Sequence, residues 1–437
     1  MSKAFSAPGK ALLAGGYLVL EPIYNAYVTA LSSRMHAIIT PLEITTNDTV
    51  RRIKISSPQF MNGVWEYNIQ SNYEPPKEIN GRKNPFLEAV LFIVLAYAQP
   101  TTNYNLDIII YSDPGYHTQQ DTTIKTSTNG SKTFLYHSRP IEQVEKTGMG
   151  SSAGLVSVVS TALLSYFKPE IVSNKDYLHN VAQIAHCYAQ KKIGSGFDVA
   201  AAIYGSIIYK RFQPSIINDI IQLHESAEPD VFVKRLKEVI ESNWDFTHIP
   251  CSLPPKIRLL MGDIKGGSET PKLVSQILAW KKNKPEESSE VYKNLDEANN
   301  QFIEQLERLQ LLYNQDAETY IKKINDDPSF LEPLKQSIQN MRHHLQDLTK
   351  KSQTPVEPPI QTELLDRCQD IKGCLGGIVP GAGGYDAISM LVLDDYIETV
   401  KSITNDNLQY YHEVNWVDLH EEIEGLIIEN IENYIGL

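Results

Sequence analysis

The sequence predicts an α/β protein of two domains, and three observations carry that expectation. At 437 residues the chain is long enough to bury more than one core. Roughly its first seventy residues read as strands separated by turn residues. Its second half opens on a strand and is dominated by long apolar stripes at helical spacing.

The elements follow in order. "KALLAGGYLVL" is a strand with a bend at its glycine pair, and "RMHAIITPLEI", "RIKISS" and "VWEYNIQ" are further strands. Asn84 to Ala98 is a buried helix broken only by Glu88, capped by Asn84 with Pro85 in its first turn. "NYNLDIIIYSD" returns as a strand, and His117 to Lys132, rich in Thr, Gln, Ser and Asn, is an exposed hairpin or loop. The segment "LVSVVSTALL" is apolar on nearly every side, so its helix is buried, with Ser151 or Ser152 as the N-cap. Asn180 to Lys191 is helical, and Val199 to Phe212 runs from helix into the strand "SIIYKRF". Helices near Ile216 to Leu223 and Asp230 to Ile240 lead to the linker "CSLPP".

This places one domain at 1–223, a connecting segment at 224–256 and a second domain at 257–437. The second begins with the strand "IRLLMGDI". Two helical stripes follow, Leu295, Ala298, Phe302, Leu306, Leu309 and Leu312 or Tyr313, then Leu334, Ile338, Met341, Leu345 and Leu348. "KKSQTPVEPPIQ" is a proline-broken connector, and Gly373 to Leu393 is strand, glycine turn and strand. Leu419 to Tyr434 is expected to form an acidic amphipathic helix.

Composition excludes several classes. The net charge of −13 argues against a general nucleic-acid binder, which needs clustered cations for phosphate. The longest apolar run, Phe86 to Ala98, is too short to cross a bilayer, and the start lacks a secretory signal pattern. Cys187, Cys251, Cys368 and Cys374 form no CxxC pair and have no histidines at zinc-finger spacing. A cytoplasmic protein with free thiols is expected, without nucleic-acid or membrane partners, as a monomer or weak homodimer. His343 and His344 read as a solvated helix face, not a metal site.

The stretch "EKTGMGSSAG" carries the chemistry. Its glycines, Gly148, Gly150 and Gly154, form GxGxxxG, which matches neither the dinucleotide GxGxxG nor the kinase glycine loop, and the chain has no GxxxxGK[ST]. A helix mouth offers unpaired N–H groups and partial positive charge, glycines let a phosphate approach, and serine hydroxyls reach oxygens or Mg²⁺. The residues alone leave two readings open, a phosphate cradle or a tight strand-to-helix turn.

"EKTGMGSSAG" resembles the second motif of the GHMP kinase superfamily. "APGKALLAGGYLVLEP" resembles its lysine-bearing first motif and "PGAGGYDAISMLVL" its glycine-rich third, in the family's order along the whole chain. "AGGYLVLEP", "KIGSGFDVAAAIYGS" and "GDIKGGSETPKLV" are most similar to the fungal type of phosphomevalonate kinase. The resemblance implies the GHMP kinase fold, with a left-handed β-α-β unit in the N-terminal domain and a ferredoxin-like C-terminal domain. It implies ATP- and Mg²⁺-dependent conversion of 5-phosphomevalonate to 5-diphosphomevalonate, on the mevalonate route to isoprenoids and sterols. The competing readings are mevalonate kinase, diphosphomevalonate decarboxylase, or a non-catalytic sensor on the same fold.

Carried over residue by residue, Lys10 and Asp198 become the catalytic pair. Lys146, Thr147, Gly148, Met149, Gly150, Ser151, Ser152, Ala153 and Gly154 become the ATP loop, with Ser152 as a Mg²⁺ ligand. Lys10, Tyr17, Ser195, Asp198, Ser268, Thr270, Gly381, Ala382, Gly383 and Gly384 fall on the substrate side. Two positions depart from the family pattern. Cys187 stands where many relatives have a metal-binding glutamate, and Mg²⁺ prefers hard oxygens to a thiol. Tyr385 interrupts the usual glycine run. Because the second pKa of a phosphate monoester is about 6, a general base would gain little, so Asp198 is expected mainly to orient Lys10 and the substrate.

Overall fold

A computed structural model describes residues 1–44, 51–118, 120–145, 147–264 and 270–437. The expected site residues Lys146 and Ser268 lie outside the described residues.

Strands β1 (Lys3–Ala14) and β2 (Ala26–Pro41) pair antiparallel, with Lys10 opposite Ala30; contrary to the expected bent strand, β1 stops at the Gly15–Gly16 bend and Leu18–Leu20 is a short 3-10 turn. β3 (Arg51–Ser56) and β4 (Val64–Asn68) form a hairpin. Helix α1 (Pro85–Ala98) is capped as expected, Asn84 accepting from the amides of Phe86 and Leu87. β5 (Tyr104–Ser112) then lies between β2 and β3, parallel to β3. β6 (Thr122–Thr126) and β7 (Thr133–His137) form a separate hairpin.

Helices α2 (Ser151–Phe167), α3 (Lys175–Gln190) and α4 (Phe197–Tyr204) are heavily buried and pack on one another, with α2 and α4 also against β1 and β2. β8 (Ile207–Lys210) joins β2. After α5 (Ser215–Ser226) and α6 (Pro229–Ile240), β9 (Thr247–Pro250) pairs with β8, still on the first sheet.

The second half contains β10 (Ile257–Asp263), α7 (Thr270–Asn283), α8 (Pro285–Gln315), α9 (Ala317–Asp326), α10 (Glu332–Ser352) and α11 (Pro359–Gln369). β11 (Cys374–Ile378), β12 (Ala387–Leu393), α12 (Ile397–Asp406) and β13 (Asn415–Val417) follow. The second sheet runs β11-β12-β10-β13, all antiparallel. The two apolar stripes are buried except at the end of the first, where Leu312 and Tyr313 are half-buried, and α8 and α10 pack side by side.

The tail corrects the sequence expectation. Instead of a helix it forms β14 (Glu421–Glu422), β15 (Ile427–Glu429) and a short 3-10 turn at Ile431–Tyr434. β14 pairs with β2 and β15 with the outer edge of β1, so the chain returns to the first sheet. An open edge has unpaired N–H and C=O groups that invite pairing, and that tertiary demand overrides helical spacing here. Glu429 accepts from Ser6 and Lys132, and the Tyr434 hydroxyl meets buried His36 at 2.8 Å.

The connector between α10 and α11 is held by a buried ion pair. Glu357 Oε1 accepts from Arg342 Nε at 3.1 Å and Nη2 at 2.9 Å, from Gln346 at 2.9 Å and from the Thr362 hydroxyl at 3.1 Å. Removing one partner of such a pair leaves a charge without compensation. Arg342→Met is therefore expected to lower the free energy of urea unfolding by about 3–5 kcal/mol, with Arg342→Met/Glu357→Gln recovering most of it. A loss below about 1 kcal/mol, the scale of an exposed pair, would contradict the buried geometry.

Candidate active site

The first and second motifs meet directly. The Lys10 backbone amide donates to the Met149 carbonyl at 3.3 Å, and the Lys10 ammonium donates to the Gly148 carbonyl at 3.0 Å. The same ammonium lies 5.4 Å from the centre of the Phe197 ring, at the start of α4. A Cβ built on Gly150 would sit 3.3 Å from Lys10 Cε and 3.7 Å from Asp198 Cβ. Lys10, Asp198 and the mouth of α2 thus converge around one glycine. Desolvation holds the Lys10 pKa below the ordinary lysine value, and the nearby Asp198 carboxylate partly opposes that shift.

Gly150, not a serine, caps α2. Its φ of +80° is left-handed, which favours glycine, and neither Ser151 nor Ser152 makes a side-chain cap. The serine expectation failed because the chain must turn sharply before the helix, and a serine at that φ would be strained. Ser151 and Ser152 instead occupy the first turn, with hydroxyls free of capping duty. The first-turn amides of any α-helix lack intrahelical partners, so this mouth can receive an anion.

The remaining loop residues divide between mouth and support. Thr147 is an anchor: its hydroxyl donates to the Gly115 carbonyl and its amide to the Tyr116 carbonyl. Met149, Ala153 and Gly154 face inward, a Cβ on Gly154 lying 3.1 Å from Met35 Cβ. Gly148, Gly150, Ser151 and Ser152 are left at the opening.

Asp198 sits in the first turn of α4, where its Oδ1 accepts from the Val199 amide at 3.0 Å. Ser195, three residues earlier, is half-buried, and its carbonyl accepts from the Tyr209 hydroxyl at 2.9 Å. Cys187 is buried beneath this loop. Burial pushes its thiol up to about 11, and Gln183 reaches its sulfur at 3.2 Å, so it is a neutral packing group. Its neighbour His186, to which the sequence reading gave no part, meets the Ser152 hydroxyl at 3.0 Å through Nε2 and stacks on Phe86. Burial keeps His186 below the ordinary histidine value, which favours a neutral ring. No sequence pattern joins positions 152 and 186.

The third motif closes against the first. The Tyr17 hydroxyl donates to the Ala382 carbonyl at 2.6 Å, and a Cβ on Gly16 would lie 2.9 Å from the Gly381 carbonyl oxygen. On its other side the Gly384 amide donates to the Val356 carbonyl at 3.1 Å, and a Cβ on Gly383 would lie 2.1 Å from that oxygen. Tyr17 is therefore buried and engaged with the loop. The Asp263 carboxyl, at the end of β10, is raised by burial and then by the negative charges of Asp386 and Glu145. Thr270 is exposed at the start of α7.

Three comparisons bear on this geometry. Residues 129–206 match the family described as the GHMP kinases N terminal domain. The chain is 65% identical to a phosphomevalonate kinase of Candida albicans, with 100% of both chains covered. It is 33% identical to a phosphomevalonate kinase of Aspergillus fumigatus, over 99% of this chain and 98% of that one. In fold it is similar to the Streptococcus pneumoniae phosphomevalonate kinase solved in complex with phosphomevalonate and AMPPNP, with a TM-score of 0.62, 18% identity, and 96% and 99% of the two chains covered. The GHMP kinase fold that these likenesses share accounts for the meeting of the three motifs, and the full-length identity narrows it further: the chain belongs to the phosphomevalonate kinase family.

Proposed function

We propose that this chain transfers the γ-phosphoryl group of ATP to 5-phosphomevalonate, yielding 5-diphosphomevalonate and ADP on the route to isoprenoids and sterols. The observation that carries the reading is the convergence of Lys10 and Asp198 on Gly150, at the mouth of α2, in a chain 65% identical throughout to a phosphomevalonate kinase. A non-bridging oxygen of the acceptor phosphate attacks the γ-phosphorus, and the bond from that phosphorus to the β,γ-bridging oxygen breaks. At neutral pH the attacking oxygen is mostly unprotonated, since the second pKa of a phosphate monoester is about 6. Asp198 then has little proton to take, and its work is to place Lys10 and the acceptor.

Lys10 supplies a fixed positive charge beside the transferring group, where a preorganised donor acts most strongly. The open residues of the loop, Gly148, Gly150, Ser151 and Ser152, bind the phosphates of ATP through amides and hydroxyls. A magnesium ion suits this site, because Ser152 and Asp198 offer hard oxygens beside ligand phosphates and Cys187 is withdrawn as a buried thiol. When bound, it would neutralise charge on the phosphates. Tyr17 serves the substrate side indirectly, by holding Ala382 and with it the glycine loop. Ser195, Ser268 and Thr270 remain our candidates for acceptor contacts. The cysteines are free, which suits the reducing cytoplasm. Among the described residues no helix is long and apolar enough to cross a membrane.

Three measurements test this reading. ADP release, followed with mevalonate, 5-phosphomevalonate and 5-diphosphomevalonate in turn, is expected only with the second. Turnover of mevalonate at a comparable kcat/KM would assign the chain to a different step. Lys10→Met is expected to lower kcat by about 10²–10³, the scale of losing one transition-state donor, while the KM for ATP changes little. Because the Lys10 pKa is lowered, its charge is lost at a lower pH than that of an ordinary lysine, with its reference value of 10.5. The alkaline limb of kcat/KM should therefore lie below that value and move upward in Lys10→Arg; an unmoved limb would remove Lys10 from the titration.

A further inference from the structure

Strand β8 ends in a side-chain arrangement that its apolar pattern did not announce. Arg211 is buried, and its guanidinium donates to three carbonyls: Leu20, just past the Tyr17 turn, and Ile193 and Gly194, in the loop between α3 and α4. Two residues earlier the fully buried Tyr209 donates its hydroxyl to the Ser195 carbonyl at 2.9 Å. A Cβ on Gly196 would lie 2.6 Å from the Phe212 ring and 2.9 Å from the Tyr209 hydroxyl. The loop Ile193–Gly196 is thus gripped at successive carbonyls from below and packed without slack where α4 begins. Among the described residues Arg211 has no carboxylate within ion-pairing distance. A desolvated guanidinium bonded only to carbonyls is a costly way to tie a loop, so its value lies in what the loop carries.

We infer that Arg211 and Tyr209 are positioning residues, a clamp that fixes the loop Ile193–Gly196 and thereby the placement of Ser195 and Asp198 against Lys10. A trans peptide points its C=O and N–H in opposite directions. Drawing the Gly194 and Ser195 carbonyls onto β8 therefore turns the amides of Ser195 and Gly196 to the far side. The same grip sets where α4 starts, and Asp198 lies in its first turn. Through the Leu20 carbonyl, Arg211 also ties this loop to the bend of the first motif, which holds the third motif through Tyr17. The inference rests on Asp198 acting in the transfer.

Two conservative variants test the clamp. Tyr209→Phe deletes one hydroxyl and keeps the ring, and Arg211→Lys keeps the charge but cannot span three carbonyls. Each is assayed for kcat and for KM with ATP and with 5-phosphomevalonate, beside its thermal midpoint. We expect kcat to fall about tenfold or more in both, with the KM for ATP within about twofold, since the ATP loop belongs to α2. In an Asp198→Asn background, Tyr209→Phe should lower kcat by no more than about twofold further, because residues acting as a unit are not additive. Unchanged kcat in folded single variants, or a full multiplicative loss in the double variant, would overturn the clamp. Wild-type turnover in Asp198→Asn alone would instead refute the role of Asp198. If Arg211→Lys does not fold, Tyr209→Phe and its double variant decide the question.

Discussion

The structure turns on the pair of hydrogen bonds from Lys10 to the glycine–serine loop before α2. One is made by its backbone amide and one by its ammonium, to the consecutive carbonyls of Met149 and Gly148. Because the backbone bond fixes the height of β1 against the loop, the side chain needs no search to reach the mouth of α2. This close approach constrains the neighbours. A Cβ on Gly9 would meet the Tyr116 hydroxyl at 3.3 Å and one on Gly154 would meet it at 3.4 Å, so the two motifs can interlock only around small residues. The glycines do more than bare the backbone at the helix mouth. They let a strand and a helix start share one place.

The third motif depends on that joint at one remove. Its loop is pinned between the Tyr17 hydroxyl, on the bend that ends β1, and the Val356 carbonyl, in the connector held by Arg342 and Glu357. A buried ion pair is weak evidence for stability, since desolvating both charges offsets most of their attraction. Its geometric effect is clearer: a proline-broken connector without regular structure gets one fixed path. That path presents the carbonyl on which Gly384 rests.

What the sequence made legible follows from how far each signal reaches. Asn84 before Pro85, the stripes on α8 and α10, and the glycine pair at the first bend are local patterns, and each appears where its spacing puts it. The N-cap of α2 was misread because serine preference is an average, whereas the φ of +80° at Gly150 is set by the path of the preceding turn. The tail was misread because its apolar residues suit a helix, but β1 had an open edge that only distant residues could fill. His186, Tyr209 and Arg211 left no local trace. Each acts on a backbone or hydroxyl distant in sequence, and one sequence does not record such pairs.

The acidic balance of the chain, −13, looks unsuited to two phosphorylated ligands, but net charge is the wrong measure for a site. Exposed charges are screened beyond about 8 Å at physiological salt, whereas desolvated ones act at short range with little screening. Lys10 is desolvated and bonded to a carbonyl, and Arg211 is buried and bonded to three. Among the described residues neither has a carboxylate within ion-pairing distance, whereas Arg342, Lys132 and Lys256 all do. Two cations held in place by carbonyls, one at the helix mouth beside Asp198 and one behind the loop before α4, put fixed positive charge at short range from the opening, where surface charge counts for little. The anionic ligands complete an electrostatic arrangement that the fold leaves open at that point.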